Sequence, residues 1–228
     1  MPQLLMENIM KSYVIGNESI HAVNNASLEV NRGEFISIVG HSGSGKTTLL
    51  SIIGGIVKPT SGRVLFEGTD IYSFDSDRLS EYRCETIGFM FQFASLLPML
   101  TVKENLMLPV VFKNGRRAGG ADANERKAVE LLGMVGLGDK INAYPSQLSG
   151  GQQRRVAIAR AFMNDAEIIL ADEPTGDLDE ETESDMMRLF KKVNEERRIT
   201  FIMVTHNTDI AKQTRRQMRM SQGAIATL

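Results

Sequence analysis

The chain has 228 residues, of which 42% are hydrophobic and 24% are charged, as in a soluble globular protein with one substantial core. Its 26 basic and 28 acidic residues give a net charge of −2, which provides no electrostatic basis for binding nucleic acid. The single cysteine, Cys84, excludes an intrachain disulfide and fits a reducing compartment.

The sequence contains no candidate membrane span or secretion signal. Its apolar runs fall short of the roughly 18 residues that a spanning helix needs. The first residues lack the basic start and long apolar core of a signal peptide. We therefore expect a cytosolic protein, for which any membrane role must come through a partner.

The first part of the chain is predicted to be rich in strands. Apolar runs bounded by turn residues predict strands at residues 4–10, 22–30, 35–39, 63–67 and 86–91. The run at 35–39 is apolar apart from Ser37, which is typical of a strand buried on both faces. A glycine-rich loop follows it directly, and residues 46–53 are predicted to form the next helix.

Helical patterns follow residue 91. Ser149 and Gln152 have the spacing of a capping box, and Asp122 is predicted to cap an earlier helix. The basic stretch 113–120 is interpreted as a solvated surface loop, although its charges leave contact with lipid headgroups open. Further elements are predicted at residues 122–135, 149–162, 168–171, 182–196, 199–204, 217–220 and 224–227.

Alternating strands and helices predict an α/β fold with a mostly parallel core sheet and antiparallel N-terminal strands. The helical stretch is interpreted as an insertion. We therefore expect a single domain with a core formed by residues 1–91 and 163–228 and a helical part formed by residues 92–162.

The glycine-rich loop matches the phosphate-binding pattern G-x-x-x-x-G-K-[ST] between a strand and a helix. Its glycines let main-chain N–H groups converge on phosphate, and the helix N-terminus adds positive charge. The lysine neutralises phosphate oxygens and the first threonine offers a hydroxyl to Mg²⁺. Alone, the pattern also fits GTPases, kinases and helicases. The candidate residues are Gly40, His41, Ser42, Gly43, Ser44, Gly45, Lys46, Thr47 and Thr48.

Two adjacent acids follow the apolar run at 168–171. Asp172 ends this predicted strand, so its carboxylate is expected beside the phosphates, where it would bind Mg²⁺. Glu173 is expected to orient and deprotonate the attacking water. The pair therefore indicates hydrolysis of a nucleoside triphosphate.

The segment Leu148-Ser149-Gly150-Gly151-Gln152 begins a predicted helix and forms a second anion site. One chain with one phosphate-binding loop has no evident use for it. Lying between that loop and the acidic pair, it makes nearly the whole chain resemble the nucleotide-binding subunit of an ATP-binding-cassette (ABC) transporter.

The resemblance implies that two copies close around two ATP–Mg²⁺, with Ser149, Gly150, Gly151 and Gln152 binding the γ-phosphate held by the facing subunit. It also implies an integral-membrane permease that places a helix near residues 92–105 and holds the protein at the inner face of the membrane. The remaining implied roles are sensing of Mg²⁺ and water by Gln92, γ-phosphate contact by His206, adenine stacking by Tyr13, and reach across the dimer by the loop Gly176-Asp177-Leu178-Asp179, with Asp179 its conventional acid.

Residues 91–105 and 171–179 resemble the lipoprotein-releasing and macrolide-exporter ATPases, which implies export or extraction of lipoprotein, lipid, antibiotic or peptide. The cell-division ATPase shares much of this pattern, including a histidine like His41, so transmembrane signalling is the alternative function. Related DNA-repair and translation ATPases usually carry coiled-coil insertions or two cassettes, which this chain lacks. A GTPase is disfavoured because no N-K-x-D pattern is present.

Overall fold

A computed structural model describes residues 1–16, 18–113, 120–176 and 178–228. Within these ranges the chain forms ten strands and seven α-helices. The strands are β1 Leu4–Ile15, β2 Glu18–Val30, β3 Phe35–Val39, β4 Ser61–Phe66, β5 Thr69–Asp70, β6 Ile87–Met90, β7 Ile168–Asp172, β8 Thr200–Thr205, β9 Arg216–Ser221 and β10 Ala224–Thr227. The helices are α1 Lys46–Ile53, α2 Ser76–Glu81, α3 Val102–Phe112, α4 Ala121–Met134, α5 Gly150–Ala161, α6 Glu180–Arg197 and α7 Thr208–Ala211.

The strands form two sheets, and the predicted α/β fold is confirmed. The larger sheet has the order β10-β9-β3-β8-β7-β6, with β9, β3, β8, β7 and β6 parallel and β10 pairing antiparallel to β9. The smaller sheet, β2-β1-β4-β5, is antiparallel. Because β3, β8 and β7 are neighbours, the residues that follow them meet at one edge.

The strands β3, β7 and β8 of the larger sheet are buried on both faces, as their mainly apolar runs predict. Along β7, Ile168 and Leu170 join the core cluster that contains α1, whereas Ile169 and Ala171 join the cluster that contains residues of α3 to α6. This alternation follows from the two-residue period of a strand. The strands that carry the polar loops are therefore fixed from both sides.

Within the described part of residues 92–162, the regular elements are helices. The helices α3, α4 and α5 pack on one another, and α5 also packs on β6. The contact with β6 is close: a Cβ added at Gly88 would lie 2.4 Å from the carbonyl oxygen of Ala161. The end of α5 is therefore anchored against the sheet.

Two helix boundaries differ from the sequence prediction. The predicted cap Asp122 is wrong, because α4 begins at Ala121 and Asp122 lies in its first turn, where a negative charge faces the positive helix end. The helix predicted at 182–196 begins at Glu180 because the side chain of Asp179 accepts a hydrogen bond from the backbone N–H of Thr182. Most of the basic stretch 113–120 lies outside the described residues.

Among the described helices, none is both long and apolar enough to cross a lipid bilayer.

Candidate functional site

The glycine-rich loop connects β3 to α1, and its backbone needs glycine. Gly45 caps α1 with a φ of +103°, and a Cβ there would lie 2.0 Å from the carbonyl oxygen of Ala22. A Cβ at Gly40 would lie 2.4 Å from the carbonyl oxygen of Met220. The loop is thus held against β2 and β9, with its N–H groups at the start of α1 available for an anion.

Lys46 lies inside this loop and is only 8% exposed. Its ammonium group donates hydrogen bonds to the carbonyl oxygens of Gly40, at 2.7 Å, and His41, at 3.0 Å. Both acceptors are neutral. A phosphate oxygen would be a stronger partner, because a hydrogen bond between two charged groups is about twice as strong as a neutral one.

Thr47 and Asp172 meet across the cleft. The hydroxyl of Thr47 donates a hydrogen bond of 2.8 Å to Oδ2 of Asp172, which ends β7 and is 5% exposed. Burial raises the pKa of the Asp172 carboxyl above its ordinary value. A carboxylate, a hydroxyl and the nearby amide of Gln92 are oxygen ligands of the kind that suits Mg²⁺, and a cation would offset the burial of the charge.

The buried carboxyl predicts a gain in stability for Asp172→Asn in the nucleotide-free, magnesium-free protein. Because the folded-state pKa lies above the unfolded value of about 3.9, Asp172 destabilises the fold as the pH rises through the folded-state pKa. The melting temperature should rise at neutral pH, by about 2–4 °C per kcal/mol relieved, and this gain should vanish near pH 4. Scanning calorimetry across pH measures it, with exposed Asp185→Asn as the control; a lower melting temperature at neutral pH would contradict it.

Glu173 follows β7 and is held in an uncommon backbone conformation, with a φ of +46°. Its carboxylate accepts a hydrogen bond of 3.0 Å from the hydroxyl of Thr205, and Nδ1 of His206 lies 2.9 Å from its other oxygen. Because an ionised carboxylate only accepts, Nδ1 carries the hydrogen and Nε2 of His206 is left for another partner. The site thus contains a carboxylate with a fixed direction beside the phosphate-binding loop.

These side chains line a cleft of about 670 Å³. It brings together the predicted loop residues from His41 to Thr48 with Gln92, Asp172, Glu173 and His206, whereas Gly40 is not among the lining residues. Its complete lining is Ile20, His21, Ala22, His41, Ser42, Gly43, Ser44, Gly45, Lys46, Thr47, Thr48, Gln92, Asp172, Glu173 and His206.

Three lining residues on β2, Ile20 to Ala22, were not predicted from the sequence. Tyr13 is not among the lining residues; it is 40% exposed, and the Lys11 ammonium lies 5.0 Å from the centre of its ring. Its cross-strand partner, Ile20, does line the cleft. The pairing of β1 with β2 therefore places Tyr13 next to the edge of the cleft. Its predicted stacking on adenine stays a prediction.

The segment from Ser149 to Gln152 lies away from the cleft. Ser149 and Gln152 form the predicted capping box at the start of α5: the backbone N–H of Gln152 donates to the Ser149 hydroxyl, and the backbone N–H of Ser149 donates to the Gln152 side chain. A Cβ at Gly150 would meet nothing within 4 Å. Ser149 and Gly150, in the predicted second anion site, are therefore open to solvent.

Asp179 also lies away from the cleft lining. Both of its carboxylate oxygens accept hydrogen bonds from Thr182, which lowers the pKa of Asp179. Asp177, in the same predicted loop, lies outside the described residues. In the single chain, Asp179 acts as the cap of α6.

The fold and the cleft define a nucleoside triphosphatase with a phosphate-binding loop. The sequence matches the model of the ABC transporter family over residues 23–176, and the chain belongs to this family. The resemblance inferred from the motifs is confirmed.

Three relatives show how far the similarity extends. The ABC transporter ATP-binding protein MJ0796 of Methanocaldococcus jannaschii is 45% identical over 221 residues, which cover 96% of this chain and 94% of the relative. The lipoprotein-releasing system ATP-binding protein LolD 1 of Rhodopseudomonas palustris is 42% identical over 227 residues, 98% of both chains. The macrolide export ATP-binding/permease protein MacB of Syntrophobacter fumaroxidans is 42% identical over 96% of this chain but only 30% of the longer relative.

The same similarity holds in three dimensions. The dimeric MJ0796 cassette in a post-hydrolysis state, bound to ADP and Pi, has a TM-score of 0.93 and 43% identity, covering 99% of this chain and 98% of that one. The chain is therefore an ABC ATPase.

Proposed function

We propose that this protein is the ATP-hydrolysing subunit of an ABC transporter, which dimerises around two Mg²⁺–ATP and drives a separate membrane permease. The observation that carries the proposal is the separation of two anion sites: a phosphate-binding cleft, and a solvent-facing helix start at Ser149. A second copy of the chain would bring one site of each kind together. The dimeric MJ0796 structures support this arrangement.

Within the cleft, each side chain receives a role from its contacts. Lys46 would exchange its loop carbonyls for β- and γ-phosphate oxygens, and Thr47, Asp172 and Gln92 would hold Mg²⁺. A bound Mg²⁺ would neutralise part of the negative charge of the phosphates. The other loop residues would surround the phosphates with main-chain N–H groups.

The catalytic roles fall to Glu173 and His206. The Glu173 carboxylate, fixed by Thr205 and His206, would accept a proton from the attacking water. His206 would use its remaining ring nitrogen to contact the γ-phosphate. Two contacts on the carboxylate restrict its direction before nucleotide arrives, which favours a positioned water.

The facing subunit would complete each site. Ser149, Gly150, Gly151 and Gln152 would donate hydrogen bonds to the γ-phosphate across the dimer, and Asp179 would lie near this interface. Tyr13, beside Ile20 at the edge of the cleft, would stack on adenine.

The domain organisation is part of the same proposal: residues 92–162 form the helical part of a single domain.

A groove lined by residues within 80–91, 108–112 and 160–164 is the proposed seat of the permease; the resemblance places the permease helix near residues 92–105, none of which lines this groove. It has a volume of about 510 Å³, and its floor includes the rings of Phe89 and Phe91, which stack with centroids 4.7 Å apart. Phe112, 72% exposed, stands at its rim. An apolar groove of this kind suits the apolar face of an amphipathic helix, and Phe91 directly precedes Gln92 of the ATP site.

The names of two relatives indicate which kinds of cargo the transporter would move. LolD 1 belongs to a lipoprotein-releasing system, and MacB joins an ATP-binding part to a permease in one protein. By analogy, we propose export or extraction of lipoprotein, lipid, antibiotic or peptide, by a protein held at the inner face of the membrane by its permease.

Affinity purification of Glu173→Gln with ATP from solubilised native membranes tests the permease. We expect a multi-span membrane protein to co-purify. Adding Phe112→Asp should abolish capture by placing a charge at the apolar rim. The matched control, Val129→Asp, changes an exposed apolar residue outside the groove and should retain it.

The outcomes separate the functions. Capture that is insensitive to Phe112→Asp, or no membrane protein at all, would contradict a permease in this groove. A partner with a large extracytoplasmic domain would support transport or extraction. If cell-wall hydrolase regulators or division proteins co-purify instead, transmembrane signalling would replace transport as the proposed function.

A further inference from the structure

Arg154 connects the start of α5 to the main chain of Glu173. Its side chain is almost fully buried, with 6% of the residue exposed. Its Nε donates a hydrogen bond of 3.1 Å to the carbonyl oxygen of Pro174, and its Nη2 donates to the carbonyl oxygen of Glu173. One guanidinium group therefore holds two consecutive carbonyls just after β7.

The Glu173 peptide is sensitive to this contact because its backbone is in the left-handed region, with a φ of +46°. Non-glycine residues remain in such a conformation only when their surroundings hold them. On one side, the backbone N–H of Glu173 donates to the carbonyl oxygen of Val204 at 3.0 Å. On the other side, Arg154 holds its carbonyl, so the direction of the carboxylate depends on a side chain from α5.

Arg154 is also rigidly linked to the open anion site. It lies five residues after Ser149, a rise of about 7.5 Å along one helix. The capping box fixes the first turn, so the helix start and Arg154 move as one body. A phosphate that pulls on the N-terminus of α5 would therefore move the guanidinium that holds Glu173.

We propose that Arg154 is a positioning residue that couples the two ATP sites of the dimer. ATP held by one subunit, when it engages Ser149 to Gln152 of the other, sets Glu173 in that other subunit through Arg154. Each subunit then adjusts its own carboxylate, whose direction Thr205 and His206 already restrict, when its α5 engages the facing nucleotide. This inference rests on the proposed ATP-bridged dimer. It states that Arg154 makes hydrolysis at one ATP site depend on the nucleotide at the other.

Arg154→Met and Arg154→Lys test the coupling in the purified protein. Misplacement of Glu173 in Arg154→Met should lower kcat about 10- to 100-fold while leaving the KM for ATP nearly unchanged. We expect the Hill coefficient for ATP to exceed 1 in the unmodified protein and to fall to about 1 in Arg154→Met. Arg154→Lys keeps one charged donor and should recover part of both.

The neighbouring Arg155→Met is the matched control. Arg155 donates a hydrogen bond of 3.0 Å to the carbonyl oxygen of Val135, which follows α4. The side chain of Arg155 thus bonds to a different part of the chain from Glu173. Arg155→Met should also lower the melting temperature, because it removes a hydrogen bond to a carbonyl, but it should keep kcat and the Hill coefficient. Equal effects of the two variants on kcat and the Hill coefficient would overturn the coupling, as would an unmodified protein with a Hill coefficient of 1.

Dimerisation separates this inference from the function on which it rests. Arg154→Met added to Glu173→Gln should leave the ATP-dependent dimer intact by light scattering. Loss of that dimer would overturn the inference, because Arg154 would then act on assembly. If Glu173→Gln alone forms no dimer with ATP, the proposed function itself fails.

Discussion

Glu173→Gln should reduce ATP hydrolysis by about 10²–10⁴-fold, the usual contribution of a general base, while ATP binding persists. The amide has the size of the carboxylate and can still accept one of the two hydrogen bonds from Thr205 and His206. It cannot take a proton from water. ATP should therefore remain uncleaved and hold two copies together, as measured by phosphate release, nucleotide titration and light scattering.

A neighbouring carboxylate provides the control for this variant. Glu183, in α6, accepts a hydrogen bond of 3.0 Å from the hydroxyl of Thr175 and does not line the cleft. Glu183→Gln makes the same chemical change and should leave turnover nearly unaltered. Undiminished hydrolysis in Glu173→Gln would refute the role given to Glu173.

Lys46→Ala should act on the earlier step, nucleotide binding. The variant removes the buried ammonium that donates to the carbonyl oxygens of Gly40 and His41 and that would bind phosphate. A hydrogen bond to a charged group contributes about 1.5–3 kcal/mol, so ATP affinity should fall roughly 10- to 150-fold. Titration with a fluorescent ATP analogue measures this loss.

Lys103→Ala serves as the comparison for Lys46→Ala. Lys103 pairs with Glu125 at the surface, at 2.7 Å, and its loss should leave ATP affinity unchanged. Unchanged binding in Lys46→Ala would exclude this loop as the phosphate site. The two active-site variants thus separate loss of binding from loss of turnover.

The buried strands and the loop that follows them were predictable because their signals are local. The run Phe35–Val39 is apolar apart from Ser37, and the glycine pattern after it matches the phosphate-binding loop. The strands β1 and β2 extend beyond their predicted bounds because pairing with each other continues as far as Ile15 and Glu18. The residues of one strand do not indicate which residues of the other strand pair with them.

The candidate site divides in the same way. Lys46 and Asp172 could be singled out because each belongs to a contiguous pattern. Arg154, by contrast, contacts residues about 20 positions away, and only the packing of α5 under the sheet brings it to Glu173. His21 reaches the cleft through the pairing of β2 with β1, a relation that single-chain patterns do not specify.

The close approach of Gly88 to Ala161 fixes one end of α5 as a pivot, whereas Ser149 before the other end is exposed. The helix has 12 residues and a length of about 18 Å. A rotation of about 10° around the pivot would sweep Ser149 through about 3 Å, the length of a hydrogen bond. Gly88 and Ala161 also line the groove proposed for the permease, so an occupant there would press on the end of α5 opposite to the end that we propose binds the facing nucleotide.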